Sequence, residues 1–383
     1  MNIFKIFKSN IIVLDQFSYA ALTLLFTSIF AVILTTEQFA ELNLSISVAM
    51  ILVGYFRAAI NQPQAILFKN GKIYRKEIPF ALIITTILLS IVFIIIINIY
   101  LTGEYILSFI SVFPILIFIN QVTRDIYSVL RNIKELFLIS SIYLFVYILI
   151  RFSDLSLASY FVVLSVFIFC IYALYCCIKS NNLFNNIKGF FLSSWIFSRW
   201  IITSYTLFIF SNSLIPFVLI SRFGALETKN YYIFMSILAV FNPLIRGFYL
   251  KYLNRTEKIF KLTKKFFYYS FFCLPVSLTI VFLVPRIFFV ESIDLFGIKL
   301  LIIMAGIIWT RIIYFVIDIN FNIAKKNKNL FLLSIIRFMP IIFILLSNRF
   351  SLEFLGILLL IFSLIEIFIL YIIDNEKVAF NLS

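Results

Sequence analysis

Ionisable and amide side chains recur at helical spacing inside stretches that are otherwise apolar, and these are the residues with chemistry to offer. One set is Gly54, Arg57, Asn61 and Gln64, and a second is Gln121, Arg124, Ser128 and Arg131. Further along come Arg199, Thr203, Thr206 and Ser213, then Asn242 and Arg246, then Arg311, Tyr314, Asp318 and Asn322. Near the N-terminus Asp15 and Gln16 precede Tyr19, Thr23 and Thr27, which continue the face of Gln16. Steps of three and four put each set on one side of a helix. An ionised group in hydrocarbon costs several kcal/mol, so such faces read as the lining of a wet, positive interior. For Arg57, Arg124, Arg199 and Arg246, near helix ends, snorkelling to headgroups is the competing reading. Arg311 lies well before the Lys325–Lys326 border, which favours a place inside the protein.

Acids within the apolar stretches are few. Glu366 and Arg337 fall about 10–12 Å from the same surface, at 1.5 Å of rise per residue, so consecutive helices set them at matched depth. A structural ion pair is one reading. The other makes Glu366 a site of proton exchange, with Asp15 and Asp318 as further candidates for ion coupling. Catalytic chemistry is poorly provided for. There is no histidine in the chain, which removes triads, imidazole bases and most zinc hydrolases. Cys170, Cys176, Cys177 and Cys273 sit in apolar runs without CxxC spacing and read as small buried hydrophobes. Neither a metal nor a cofactor is expected.

The elements that must position these groups are membrane helices. Hydrophobic residues make up 63% of the chain and charged ones only 13%, with a mean hydropathy of +1.10. That is the composition of a protein dissolved in lipid. Apolar runs of spanning length fall at 11–35, 39–60, 79–101, 106–126, 136–150, 157–178, 195–220, 230–250, 266–285, 296–320, 330–347 and 354–373. Barrel-like alternation is absent, so the spans are helices. The short basic N-terminus leads into the first span, which is expected to remain uncleaved. The loops between spans are too short for a soluble catalytic domain.

Lysine and arginine orient the bundle. If both termini are cytoplasmic, the other side holds only Arg151, Arg222, Lys229, Arg286, Lys299 and Arg349, and most remaining basic residues fall inside. The net charge of +15 is therefore expected to meet the membrane surface and not nucleic acid. A weak repeat relates the turn at 33–39 to that at 224–231, each leading into a helix with an arginine near its inner end, Arg57 or Arg246. Two six-helix bundles, residues 1–188 and 189–383, would produce it. The predicted fold is all-α and integral to the membrane, with about twelve helices in two pseudo-symmetric halves around a central cavity.

Some segments also carry a likeness. Asp15-Gln16, Glu37-Gln38-Phe39-Ala40 and Phe56-Arg57-Ala58-Ala59 with Gln62-Pro63 resemble the opening of Wzx-type polysaccharide flippases. That family belongs to the multidrug/oligosaccharidyl-lipid/polysaccharide exporter superfamily. Arg222-Phe223-Gly224-Ala225 through Asn242-Pro243-Leu244 is similar to the start of its second half. The match covers about a quarter of the chain and departs at Ala40, where the family often has glycine. The resemblance implies movement of an undecaprenyl-diphosphate-linked oligosaccharide from the cytoplasmic to the periplasmic leaflet of a bacterial inner membrane, by alternating access, for surface polysaccharide synthesis. Arg57, Arg124, Arg199, Arg246 and Arg311 would then meet the diphosphate, with Asn61 and Tyr314 among the groups facing the glycan. Other polysaccharide assembly proteins would be partners. Two rivals stand beside this reading: a multidrug/cation antiporter of the same superfamily, and a polyprenyl-dependent polysaccharide polymerase. Cationic drugs call for acidic or aromatic cavities, whereas polymerases generally need a larger outside loop.

Overall fold

Thr35 shows how the sequence starts its helices. Its hydroxyl accepts from the Gln38 backbone N–H at 3.3 Å, and the Gln38 side chain accepts from the Thr35 N–H at 3.2 Å. This reciprocal cap satisfies two otherwise orphaned donors and opens helix α2, Thr36–Phe56. The computed structural model describes residues 3–63, 117–118, 121–122, 138, 141–142, 187–242, 245, 270–271, 273–289, 296–323, 335–347 and 349–375. Before α2 runs α1, Ile3–Ile33, and after it come α3 (Ile187–Arg222), α4 (Ala225–Ala239), α5 (Cys273–Phe288), α6 (Ile298–Ile323), α7 (Met339–Leu346) and α8 (Leu352–Asn375). The described residues contain no strand. Three stretches in them are long and apolar enough to cross a membrane: Val13–Ile33, Thr36–Ile60 and Leu352–Ile372.

The helix ends line up. Lys229 Nζ donates to the Ala31 carbonyl at 3.0 Å, Arg222 donates to the Leu345 carbonyl, and the Phe223 ring lies 5.7 Å from Phe350. The turns after α1, α3 and α7 therefore gather at one end of the bundle, here the turn end. From it α6 and α8 descend in parallel: a Cβ at Gly356 would meet Ile303, one at Gly306 would meet Leu360, and Ile313 clusters with Ile367 and Leu370. One apolar cluster joins Leu24, Phe39, Phe234, Met304 and Leu355, so a single core runs through α1, α2, α4, α6 and α8. Exposed apolar residues such as Phe282, Ile302, Leu346 and Phe368 present the outer surface that lipid requires.

α1 and α3 begin at Ile3 and Ile187, eight residues before the hydropathy spans 11–35 and 195–220, and two further departures have a cause in the sequence. The span predicted over 230–250 starts earlier, at Ala225, and is interrupted by a turn at 240–241, with helical residues again at 242 and 245. Pro243 has no N–H to offer the carbonyl four residues back, which weakens the helix at that turn. The segment Arg57–Asn61 is a π-turn, in which the Gln62 N–H bonds to the Arg57 carbonyl, five residues back. Pro63 is the cause here too, since it cannot donate to Ala59 and its ring crowds that carbonyl. The remaining predicted spans, between 79 and 178, lie almost wholly outside the described residues.

Candidate functional site

A seam of polar contacts joins the α1–α2 pair to the α3–α4 pair. At the turn end the Lys229 ammonium takes the Ala31 carbonyl and lies 5.9 Å from the Phe39 ring centre. A cation at the last carbonyls of α1 suits the negative end of that helix dipole. Lower down, Ser47 and Tyr232 share a hydrogen bond of 2.9 Å between their hydroxyls. Lower still, Tyr55 Oη donates to Thr206 Oγ1 at 3.0 Å, and its ring stands edge-on to Tyr205, 5.7 Å away. Thr206 is free to accept because its own proton goes to the Ile202 carbonyl at 2.9 Å.

The arginines divide into three groups. Arg57 begins the π-turn, is half-buried and donates from Nη2 to Gln121 Oε1 at 2.8 Å. Arg311, also half-buried, reaches from Nη1 to the Leu238 carbonyl at 3.3 Å. Leu238 lies where α4 ends, so this cation also sits against a run of loosened helix carbonyls. Arg311 and Leu238 each lie about 20 Å along helices that start at the turn end, past the middle of a ~30 Å hydrocarbon layer. Arg199 is different: it is exposed, with its guanidinium 5.8 Å from the ring of its neighbour Trp200. Arg124 and Arg246 lie outside the described residues, and Asn61 is described in its backbone alone.

The acids are more deeply placed. Asp15 is fully buried in α1 and accepts from Gln16 Nε2 at 3.1 Å. Glu366 is buried in α8, and the parallel register of α6 and α8 brings it level with Arg311. Tyr314 packs against the small apolar cluster of Ile313, Ile367 and Leu370. The side chains of Asp318 and Arg337, the latter predicted to pair with Glu366, lie outside the described residues. No group of acids and cysteines among the described residues is arranged to hold a metal ion.

Sequence reasoning singled out Arg57, Gln121, Arg311 and Thr206, counted Lys229 only as an outside charge, and passed over Ser47, Tyr55, Tyr205 and Tyr232. Tyrosine and serine are common in this chain and carry no charge, so spacing alone did not lift them out. Some predicted hydroxyls turn out to be satisfied at home. Thr27 donates to the Thr23 carbonyl and Thr203 to the Arg199 carbonyl, each within its own helix.

The sequence matches no protein-family model and no curated protein. The fold, however, is that of the MATE transporters, which have twelve membrane helices. An outward-facing multidrug resistance MATE family transporter of the MOP superfamily aligns with a TM-score of 0.57 at 15% identity, over 97% of this chain and 94% of its own. A MATE protein in complex with MaL6 gives 0.58 at 12%, over 96% and 94%, and one in complex with Br-NRF gives 0.54 at 13%, over the same shares. Matched nearly end to end, the chain is a multi-pass membrane protein of all-α architecture with that fold.

Proposed function

We propose that this chain is a carrier for a polyprenyl-diphosphate-linked oligosaccharide, taking it from the cytoplasmic to the outer leaflet of a bacterial inner membrane. Both termini would be cytoplasmic, and the two moving bodies would be residues 1–188 and 189–383. The observation that carries the proposal is the inward turn of two permanent cations, Arg57 on the first body and Arg311 on the second. A guanidinium is planar and always charged, and the paired oxygens of a diphosphate suit it as a bidentate partner. Its glycan would meet the hydroxyls and amides of the seam, while the polyprenyl tail stays in lipid. Rocking of the bodies would expose the load to one side and then the other, with no bond made or broken. The likeness to Wzx-type segments at Asp15-Gln16, Phe56–Ala59 and Arg222–Leu244 supports the same load.

Export of organic cations is the second reading. The MATE fold accommodates it equally well, and buried Asp15 is the group that favours it. Loss of the protein separates the two. A lipid-linked glycan carrier leaves complete repeat units on the cytoplasmic face of the membrane, whereas a cation exporter leaves glycans normal and raises drug sensitivity. In proteoliposomes, Arg311→Gln is expected to cut flipping at least about tenfold, and Arg311→Lys much less, since only the former removes the charge. Equal transport by both variants would remove Arg311 from the proposed phosphate site.

A further inference from the structure

We propose that Gly54 and Tyr205 form a seat that holds the α2–α3 contact shut away from the turn end, and that the seat must empty whenever the two bodies part there. The motion rests on the carrier reading above. The seat itself rests on packing. Gly54 is buried, and a Cβ built on it would overlap the Tyr205 phenol at Oη, Cζ and Cε1. Gly54 is an ordinary helical residue of α2, so its backbone asks for no glycine; the space does. The phenol of Tyr205 occupies the volume that any side chain at 54 would take.

The surroundings fit a contact that opens and closes. Tyr55, next to the glycine, donates its hydroxyl to Thr206, next to the tyrosine, and stands edge-on to the Tyr205 ring itself. Every polar group in this clasp can be served by water once it separates, so parting costs little in unsatisfied hydrogen bonds. The π-turn begins three residues beyond Gly54 and packs on α3 as well. A stretch of helix with one residue too many per turn is a natural place for α2 to flex without breaking. About 27 Å of helix separates Gly54 from the turn end, at 1.5 Å per residue, so this seat and the Lys229–Ala31 contact bracket the seam.

Disulfide formation between Tyr55→Cys and Thr206→Cys, in the full-length protein in native membranes, reads the contact without reference to any substrate. The pair should cross-link readily in the parent. Adding Gly54→Ala evicts the ring and should slow cross-linking at least about tenfold, and adding Tyr205→Ala to that variant should restore it. Tyr205→Phe, with the ring kept, should cross-link as the parent does. Unchanged cross-linking with Gly54→Ala, or no rescue by Tyr205→Ala, overturns the seat. If Gly54→Ala does not accumulate while the double substitution does, the ring and the notch are shown to be complementary. If neither accumulates, glycine is needed for assembly alone and the proposal falls. Failure of the carrier reading would appear instead as normal cross-linking responses alongside an absence of lipid-linked glycan transport.

Discussion

Two close helix approaches among the described residues use glycine, and they are built from different materials. Between α6 and α8, Gly356 faces Ile303 and Gly306 faces Leu360, so a Cβ at either would meet aliphatic carbon at 2.8 Å and 3.1 Å. Between α2 and α3, Gly54 faces the phenol of Tyr205, with Tyr55 and Thr206 hydrogen-bonded beside it. In lipid the hydrophobic effect does little to hold helices together, and close packing of small residues does more. An aliphatic interlock gains everything from staying closed and nothing from water. A contact of hydroxyls and aromatic edges can be wetted and remade. The first kind suits helices that move as one body, and the second suits bodies that separate.

That contrast can be broken most forcefully at Gly356. Substitution by leucine drives a branched side chain into Ile303 and Leu300, at a cost of about 1–3 kcal/mol or more for overpacking. The expected outcome is poor accumulation in membranes and a lowered melting temperature in detergent, which size-exclusion fluorescence would record. Loss of the Ser47–Tyr232 hydrogen bond tests the other kind of contact. Ser47→Ala and Tyr232→Phe should each leave accumulation near normal and cost about 0.5–1.5 kcal/mol, with the double substitution costing little more than either alone. Full additivity in thermal melts would mean that the two hydroxyls do not cooperate. The smallest effect is expected at the turn end, where Lys229→Met removes a partly exposed cation from the end of α1. That interaction is worth about 0.3–1 kcal/mol, and its contribution should shrink as salt is raised. A melting difference that persisted unchanged at high salt would point to packing against Phe39 in place of charge.

Much of the architecture was legible in the sequence because lipid imposes a simple rule. Long apolar runs must be helices, and Thr35 and Gly224 mark turns between them. The ends of α6 and α8 fall within a few residues of the hydropathy reading. What escaped was anything set by the meeting of two distant helices. Nothing local marks Gly54 as the seat of a tyrosine 151 positions further on, or joins Ser47 to Tyr232, 185 residues away. The π-turn was written in the chain as Pro63, but a proline near a helix end reads first as a terminator. Among the arginines, depth set Arg311 apart, whereas Arg57 and Arg199 stood alike with snorkelling as the rival reading, and the one is half-buried and the other exposed. A stripe of steps of three and four identifies a shared face but not its neighbour.

The π-turn has a consequence for length. A helix that has absorbed one surplus residue can lose it again and return to regular winding, so trimming a single alanine from Ala58-Ala59 need not tear the segment apart. The lost residue and the looser winding that accommodated it would cancel, so Gly54 and Tyr55 before the cut and Gln62 and Pro63 after it would all keep nearly the same bearing. One residue of slack is in this sense stored within the membrane, and α2 can be shortened there without re-aiming either of its ends.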